Sequence, residues 1–272
     1  MSKRIFFLSI LAATILFACQ EERIPIPSLS SGPRKVLVEE LTGVRCPNCP
    51  DGTKELISLQ NLYGKENLIV VGVHAASFYS VPYSNSQYDF RSDTVQAMAD
   101  FLGQPLGFPT AAINRFQKDG ENTLFLLRST WAGLIAEEFG RDFGLGLYVS
   151  NEFNALTRQL AISVNIAPEQ RIDHEARLSV YVLQDSIVDP QVDKLTKIDD
   201  YTHRYVLRRI LSKPDGDVLG ASMERGAVVQ RQYTTTLPES WPARHCSVVA
   251  FVHRSGAPDK LVLQAAYSEV LK

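Results

Sequence analysis

The chain has 272 residues, with 28 Lys and Arg against 30 Asp and Glu and a formal net charge of −2. This near-neutral balance lacks the basic footprint of a nucleic-acid-binding protein. Beyond an N-terminal segment that has to be set aside, roughly 240 residues remain, enough for two modest domains, and no internal repeat is visible.

The chain opens MSKRIFFLSILAATILFAC. Lys3 and Arg4 form a basic n-region, and Ile5 to Phe17 is an apolar run too short for a comfortable membrane span. Leu16-Phe17-Ala18-Cys19 then puts a small residue and a cysteine where a signal peptide is cut. This resembles the lipobox of bacterial lipoproteins, in which the cysteine is lipidated and becomes the new N-terminus. The alternatives are an ordinary secretory signal cut elsewhere, or a short anchor helix. On the lipoprotein reading residues 1–18 are a signal peptide, and loss of Lys3 and Arg4 takes the formal charge to about −4. Residues 19–33 are then the lipidated Cys19 and a flexible Pro- and Ser-rich tether, RIPIPSLSSGP. The compartment permits disulfides, and the membrane is met through acyl chains. Gln20-Glu21-Glu22 lacks the Asp of inner-membrane retention, and its acidic run resembles the surface-export signals of some Gram-negative lipoproteins. An outer-membrane location is expected, on either its periplasmic or its surface face.

Residues 34–143 mix two periods. KVLVEEL and NLIVVGVH read as strands buried on both faces. Between them Leu56, Leu59, Leu62 and Tyr63 recur at helical spacing, with Gly64 as a C-cap. Strand, helix, parallel strand is a βαβ unit. A second helix is expected over SDTVQAMADFLG with Ser92 as cap, then a strand in GFPTAAINR and a closing helix over TLFLLRSTWAGLIAEEFG. From residue 144 to 272 the period is two. Leu160, Ile162, Val164 and Ile166 share one face, and ARLSVYVLQ, YVLRRIL, AVVQRQYTTTL, HCSVVAFVHR and KLVLQAAYSEV read as further strands. KPDGDV and SGAPDK supply turns. The fold class expected is an α/β domain over residues 34–143 followed by an all-β immunoglobulin-like sandwich over 144–272.

The chemistry concentrates in TGVRCPNCP. Cys46 and Cys49 are spaced as a redox pair, a structural staple, or half of a metal site. A thiolate is favoured at a helix N-terminus. Cys46 is expected at the cap or in the first turn, Pro47 at the first helical position, and Cys49 one turn later as the resolving thiol. A zinc site needs two more ligands. There is no second Cys-x-x-Cys, and His74, His174, His203, His245 and His253 form no ligand pattern, so no metal is expected. No P-loop, dinucleotide fingerprint or serine elbow calls for a cofactor. Cys246 alternates with Val248, Ala250 and Val252 and reads as a buried small hydrophobe. DKLTKIDD and KPDGD read as solvated loops.

The N-terminal half resembles the thioredoxin superfamily, with Cys46-Pro47-Asn48-Cys49 similar to its redox tetrad. That resemblance implies a cis peptide at Phe108-Pro109-Thr110, with Pro109 presenting the substrate strand. It also implies a proton relay at Glu40, six residues before Cys46. The alternatives are an ordinary trans Pro109 and an exposed strand-end Glu40. Arg45 departs from the superfamily's aromatic residue at that position; it either favours a thiolate or is solvated. An insertion between His74 and Phe108 carries Phe78, Tyr79, Tyr83, Tyr88 and Phe90, which either line a substrate groove with Arg45, Phe108 and Thr110 or pack the insertion down.

Lipobox, tether, TGVRCPNCP, YTHRYVLRRIL and the β-rich second half together resemble the outer-membrane-protein-28-like lipoprotein family. Two functions are open. One is an envelope thiol–disulfide oxidoreductase using Cys46, Cys49, Pro109 and Glu40 on protein thiols or disulfides. The other is a non-catalytic binding or adhesion lipoprotein with a structural Cys46–Cys49 disulfide.

Overall fold

The computed structural model describes residues 32–105, 107–256 and 259–271. The expected signal peptide, Cys19 and the expected tether through residue 31 lie outside the described residues.

Strand β1 (Val36–Leu41) and strand β2 (Leu68–Val73) are buried along their whole length and pair in parallel, Val36 opposite Leu68 through Leu41 opposite Val73. Their crossover is helix α1 (Cys49–Tyr63), which packs Leu56 into the core and ends at Gly64 with φ +84°. Helix α2 (Asp93–Leu102) starts at Ser92, whose side chain accepts a hydrogen bond from the Val95 amide. Strand β3 (Thr110–Ile113) runs antiparallel to β1, and β4 (Phe125–Leu127) antiparallel to β3. The closing helix is therefore shorter than expected. Phe125–Leu127 covers the free edge of β3, and only α3 (Trp131–Phe139) is helical. A short apolar run does not by itself distinguish strand from helix.

The remaining elements are strands: β5 (Leu145–Phe153), β6 (Gln159–Pro168), β7 (Ala176–Gln184), β8 (Ile187–Val188), β9 (Gln191–Asp193), β10 (Thr196–Ile198), β11 (Thr202–His203), β12 (Val206–Ile210), β13 (Asp217–Gly220), β14 (Val229–Thr236), β15 (Cys246–Arg254) and β16 (Val262–Glu269). They overturn the expected fold class, a thioredoxin-like α/β domain followed by a separate immunoglobulin-like sandwich. The described chain is mostly β with three short helices, and one nine-stranded sheet runs through both halves in the order β16-β15-β7-β12-β2-β1-β3-β4, with β13 beside β7. The join is at β2. Its outer edge offers unpaired backbone groups, and β12 takes them: Val206 pairs with Gly72, and the Gly72 amide donates to the Tyr205 carbonyl at 2.9 Å.

Two apolar cores follow from strand alternation. In β7, Tyr181 and Leu183 face the core built on β1, β2 and the three helices, together with Leu207, Val249, Phe251, Val262 and Ala265. Val180 and Val182 face the opposite way, where the three-stranded sheet β14-β6-β5 closes a sandwich-like second core with Cys246, Val248 and Ala250. Both alternations in β7 are thus apolar because both of its faces are covered. Among the described residues no helix is long and apolar enough to cross a membrane.

Between β7 and β12 the chain leaves the sheet as an arm, residues 185–205. Gln184 and Val206 pair at its root, and Ser186 (φ +57°) and Tyr205 (φ +40°) turn it away from the ladder. Two short antiparallel pairs stiffen it, β8 with β11 near the root and β9 with β10 at the tip.

Candidate functional site

Cys46 and Cys49 form a disulfide with Cα atoms 5.4 Å apart, within the usual span. The helix begins later than expected. Cys49, not Cys46, is its first residue, and Pro50 rather than Pro47 occupies the first turn. Cys46 sits one tight turn upstream, its carbonyl accepting from the Cys49 amide at 3.3 Å. Proline fits the first turn because no partner is lost there, and Cys46-Pro47-Asn48 is used up in reaching it. Asn48 is exposed, whereas both cysteines are only 1% exposed.

Glu40 lies in β1 on the face that meets α1. A Cβ added at Gly52 would lie 2.7 Å from Glu40 Oε1 and 3.2 Å from Pro109 Cβ. Glycine in a helix interior costs about 1 kcal/mol relative to alanine, and here its missing side chain is what lets the helix touch the carboxyl and the proline together. Cys49 is one turn before Gly52 on α1. Glu40 and Cys49 line one cavity of about 10 Å³, closed by Thr53, Gly72, His74, Tyr201 and His203 among others. Glu40 is fully buried, and neither carboxyl oxygen has a hydrogen-bond partner of good geometry. Burial pushes its pKa up to about 8, the Thr53 side chain offsetting this in part. Burial also pulls His74 down to about 3 and His203 down to about 4. Both rings are therefore neutral near pH 7, and neither supplies a cation to Glu40.

The Phe108–Pro109 peptide is cis, and Pro109 stands beside Gly52 at the same end of α1. Phe108 packs against Tyr79, ring centroids 5.3 Å apart. Thr110 is buried and donates its hydroxyl to the Leu126 carbonyl at 2.9 Å, which fastens β3 to β4. Arg45 donates to the Val81 and Pro82 carbonyls at 2.7 and 2.9 Å and lies over the Tyr83 ring. It pins the insertion beside the cysteine loop. The insertion's aromatics divide: Phe90 is buried and Tyr83 and Tyr88 pack against its cluster, whereas Phe78 is 75% exposed. Gly43 admits the Tyr79 carbonyl, which would lie 2.4 Å from an added Cβ.

The sequence gives no warning of what covers the disulfide loop. The Val192 amide donates to Val44 O and the Lys194 amide to Pro47 O, each at 2.9 Å. Gln191 Nε2 donates to both Gly43 O and Cys46 O at 3.2 Å. Lys194 Nζ reaches Asn48 Oδ1 at 3.2 Å and pairs with Asp51. The segment DKLTKIDD, expected as a solvated loop, is largely exposed, and with Gln191 and Val192 it forms the tip of an arm that meets the disulfide loop through Lys194. Cys246 is buried and free, its thiol pushed up to about 11 by burial. Among the described residues no three His, Cys, Asp or Glu side chains converge as metal ligands.

A sequence model of the family described as outer membrane protein Omp28 matches residues 103–269. Among solved structures, HBP35 of Porphyromonas gingivalis superposes with a TM-score of 0.68 at 20% identity, over 88% of this chain and 76% of that one. Protein AGR_C_4864 from Agrobacterium tumefaciens gives 0.53 at 13% identity, over 88% and 95%. At such identities the likeness concerns the fold alone. No curated protein matches the sequence.

Proposed function

The chain belongs to the outer membrane protein Omp28 family, and from that premise we propose that it is an envelope thiol–disulfide oxidoreductase working through Cys46 and Cys49, held at the outer membrane by a lipid on Cys19. The observation that carries the redox reading is the company the disulfide keeps. A fully buried carboxyl without a charge partner lines the same small cavity as Cys49. A staple has no use for such a group, and an unpartnered buried carboxyl is costly to keep.

In the oxidised form a substrate thiolate attacks Cys46 Sγ. The Cys46–Cys49 bond breaks as a mixed disulfide forms, and the Cys49 thiolate that leaves takes the proton of Glu40, directly or through one water. Glu40 holds that proton at neutral pH because its pKa is about 8. A second substrate thiolate, its proton lost to solvent, then attacks the substrate sulfur of the mixed disulfide. The bond to Cys46 breaks as the substrate disulfide forms, and Cys46 leaves as the thiolate, so that the substrate is oxidised and the pair reduced by two electrons. Run backwards from a Cys46 thiolate, the same steps reduce a substrate disulfide. Pro109 and Phe108 border the site where the substrate segment is presented, and the partners are protein thiols or disulfides of the envelope.

The test is the reduction potential of the pair, measured in graded glutathione buffers with alkylation trapping and with Cys246→Ala removing the third thiol. A value between about −120 and −270 mV matches exchange catalysts; one below about −300 mV matches a structural disulfide and sinks the proposal. One observation favours the second reading, a binding lipoprotein with a structural staple: both sulfurs are buried. The anchor is tested separately by acyl labelling, which Cys19→Ala has to abolish.

A further inference from the structure

We propose that the arm of residues 185–205 is autoinhibitory: its tip, Gln191–Ile198, lies over the disulfide loop and has to lift before the pair can exchange. The inference rests on the redox reading above and concerns how that site is gated.

The arm grips the body in two different ways. Its root is apolar and deep. Ile187 packs with Val44, Phe90 and Val206, and the His203 ring lies against Phe90 and Tyr201 at centroid distances of 5.0 and 4.9 Å. Its tip is held by backbone hydrogen bonds, by charges at the surface and by one buried polar side chain, Gln191, which donates to the Gly43 and Cys46 carbonyls. Lys194 meets Asp51, Asp193 meets Lys54 at 3.4 Å, and Lys197 and Asp199 meet Asn85 at 2.9 and 3.1 Å. Residues 194–197 are exposed, Leu195 completely so. Surface ion pairs of this kind contribute little, and segments with few buried apolar contacts open locally without global unfolding. The tip can therefore detach while Ile187 and His203 stay seated.

Its position is also specific to the chemistry. Val192 in β9 and Lys194 in the turn that follows it (φ +53°) donate their amides to the carbonyls of Val44 and Pro47, which flank Cys46. Gln191 reaches the Cys46 carbonyl and lines the cavity shared by Glu40 and Cys49. Cys46 is buried beneath these contacts, so a thiolate that attacks its sulfur needs the cover removed.

The experiment separates rate from equilibrium. In the detergent-solubilised full chain carrying Cys246→Ala, reduction by dithiothreitol is timed by alkylation with the arm intact, with Lys194→Glu and with Val192→Pro. Lys194→Glu opposes Asp51, and Val192→Pro deletes the amide that meets Val44. Both should speed reduction at least tenfold while leaving the reduction potential unchanged. Added salt should speed the parent by weakening the latch. The new glutamate by itself repels a thiolate, so a gain cannot be a simple charge effect. Equal rates overturn the gate and leave the redox reading standing if the potential lies in the exchange range. Faster variants with a potential in the structural range keep the gate and sink the oxidoreductase. Should either variant fail to fold, hydrogen exchange on the unmodified chain decides. The Val192 and Lys194 amides must exchange at least a hundredfold faster than that of Val38, and equal protection overturns the proposal.

Discussion

Glu39 and Glu40 are neighbours in β1 and meet opposite electrostatic fates. Glu39 accepts two hydrogen bonds from the Arg115 guanidinium, at 2.7 and 2.8 Å, with Tyr181 completing a buried cluster. Glu40, on the other face of the strand, has no ion-pair partner among the described residues. Strand alternation alone assigns the two roles: the first carboxylate is structural, the second is free to hold or give up a proton.

The proton on Glu40 should be visible in stability. Its pKa is raised from 4.5 to about 8 in the fold, so the folded state binds the proton more tightly than the unfolded one. Its contribution is complete below about pH 4.5 and is lost as pH rises towards 8. Each pK unit is worth about 1.4 kcal/mol, so the loss across that window is of order a few kcal/mol. Denaturant titrations from pH 4 to 9 should show the parent weakening relative to Glu40→Gln. Parallel curves for the two proteins would mean that Glu40 is already ionised in the fold.

For Glu39 the expectation concerns what is left behind. Arg115→Met strands a buried carboxylate and should cost roughly 3–5 kcal/mol, with Glu39→Gln costing less because Arg115 keeps a polar neighbour and stacks over the Phe251 ring. The double variant should be more stable than the sum of the singles implies, which a double-mutant cycle by urea denaturation reads directly.

Gly52→Ala sets two effects against each other. Alanine gains about 1 kcal/mol of helix propensity, but its Cβ meets Glu40 Oε1 at 2.7 Å and Pro109 on the same side. Overpacking costs typically 1–3 kcal/mol. A net loss should appear as a lowered melting temperature, together with faster reduction of the disulfide if α1 is pushed off Glu40. A more stable Gly52→Ala protein would show that the three groups are less tightly apposed than described.

Expressed alone, residues 34–143 should not fold. Their core lacks Tyr181, Leu183, Leu207, Val249, Phe251 and Val262, and β2 would present a bare edge, an aggregation hazard. Dispersed amide resonances and a cooperative melt from that fragment would count against the shared sheet.

Much of this architecture could be read from local pattern. The buried runs of β1 and β2, the parallel crossover, the Ser92 cap, the free buried Cys246 and most strands of the second half all follow from spacing and composition. What could not be read was who pairs with whom. Nothing in YVLRRIL says that Val206 finds Gly72 rather than a sandwich neighbour, because a strand's pattern records burial of its faces and not the identity of its edges. Strand β5 has no clear signature in the sequence because its exposed Tyr148 and Glu152 interrupt the apolar run. At the site the cysteine pair was legible and its cover was not. Strands β9 and β10 have three residues each, too short to show a period, and their charges read as solvent-facing. Gly52 is the one sequence signal of the close contact at this site: a glycine inside an otherwise good helix marks a place where something comes near its backbone.

One contact bears on time rather than geometry. Arg34 Nη2 donates to the Val262 carbonyl at 2.7 Å and meets Glu138 at 2.9 Å, while the Lys35 amide donates to Gln264 Oε1 at 2.9 Å. The first residues of the folded body are thus fastened to β16, more than two hundred positions downstream. Loops of that length close late and slowly. The core around β1 therefore stays incomplete while the intervening chain emerges from the ribosome. Until β16 has been delivered, Arg34 and Lys35 lack the carbonyl and the amide oxygen that hold them in the fold.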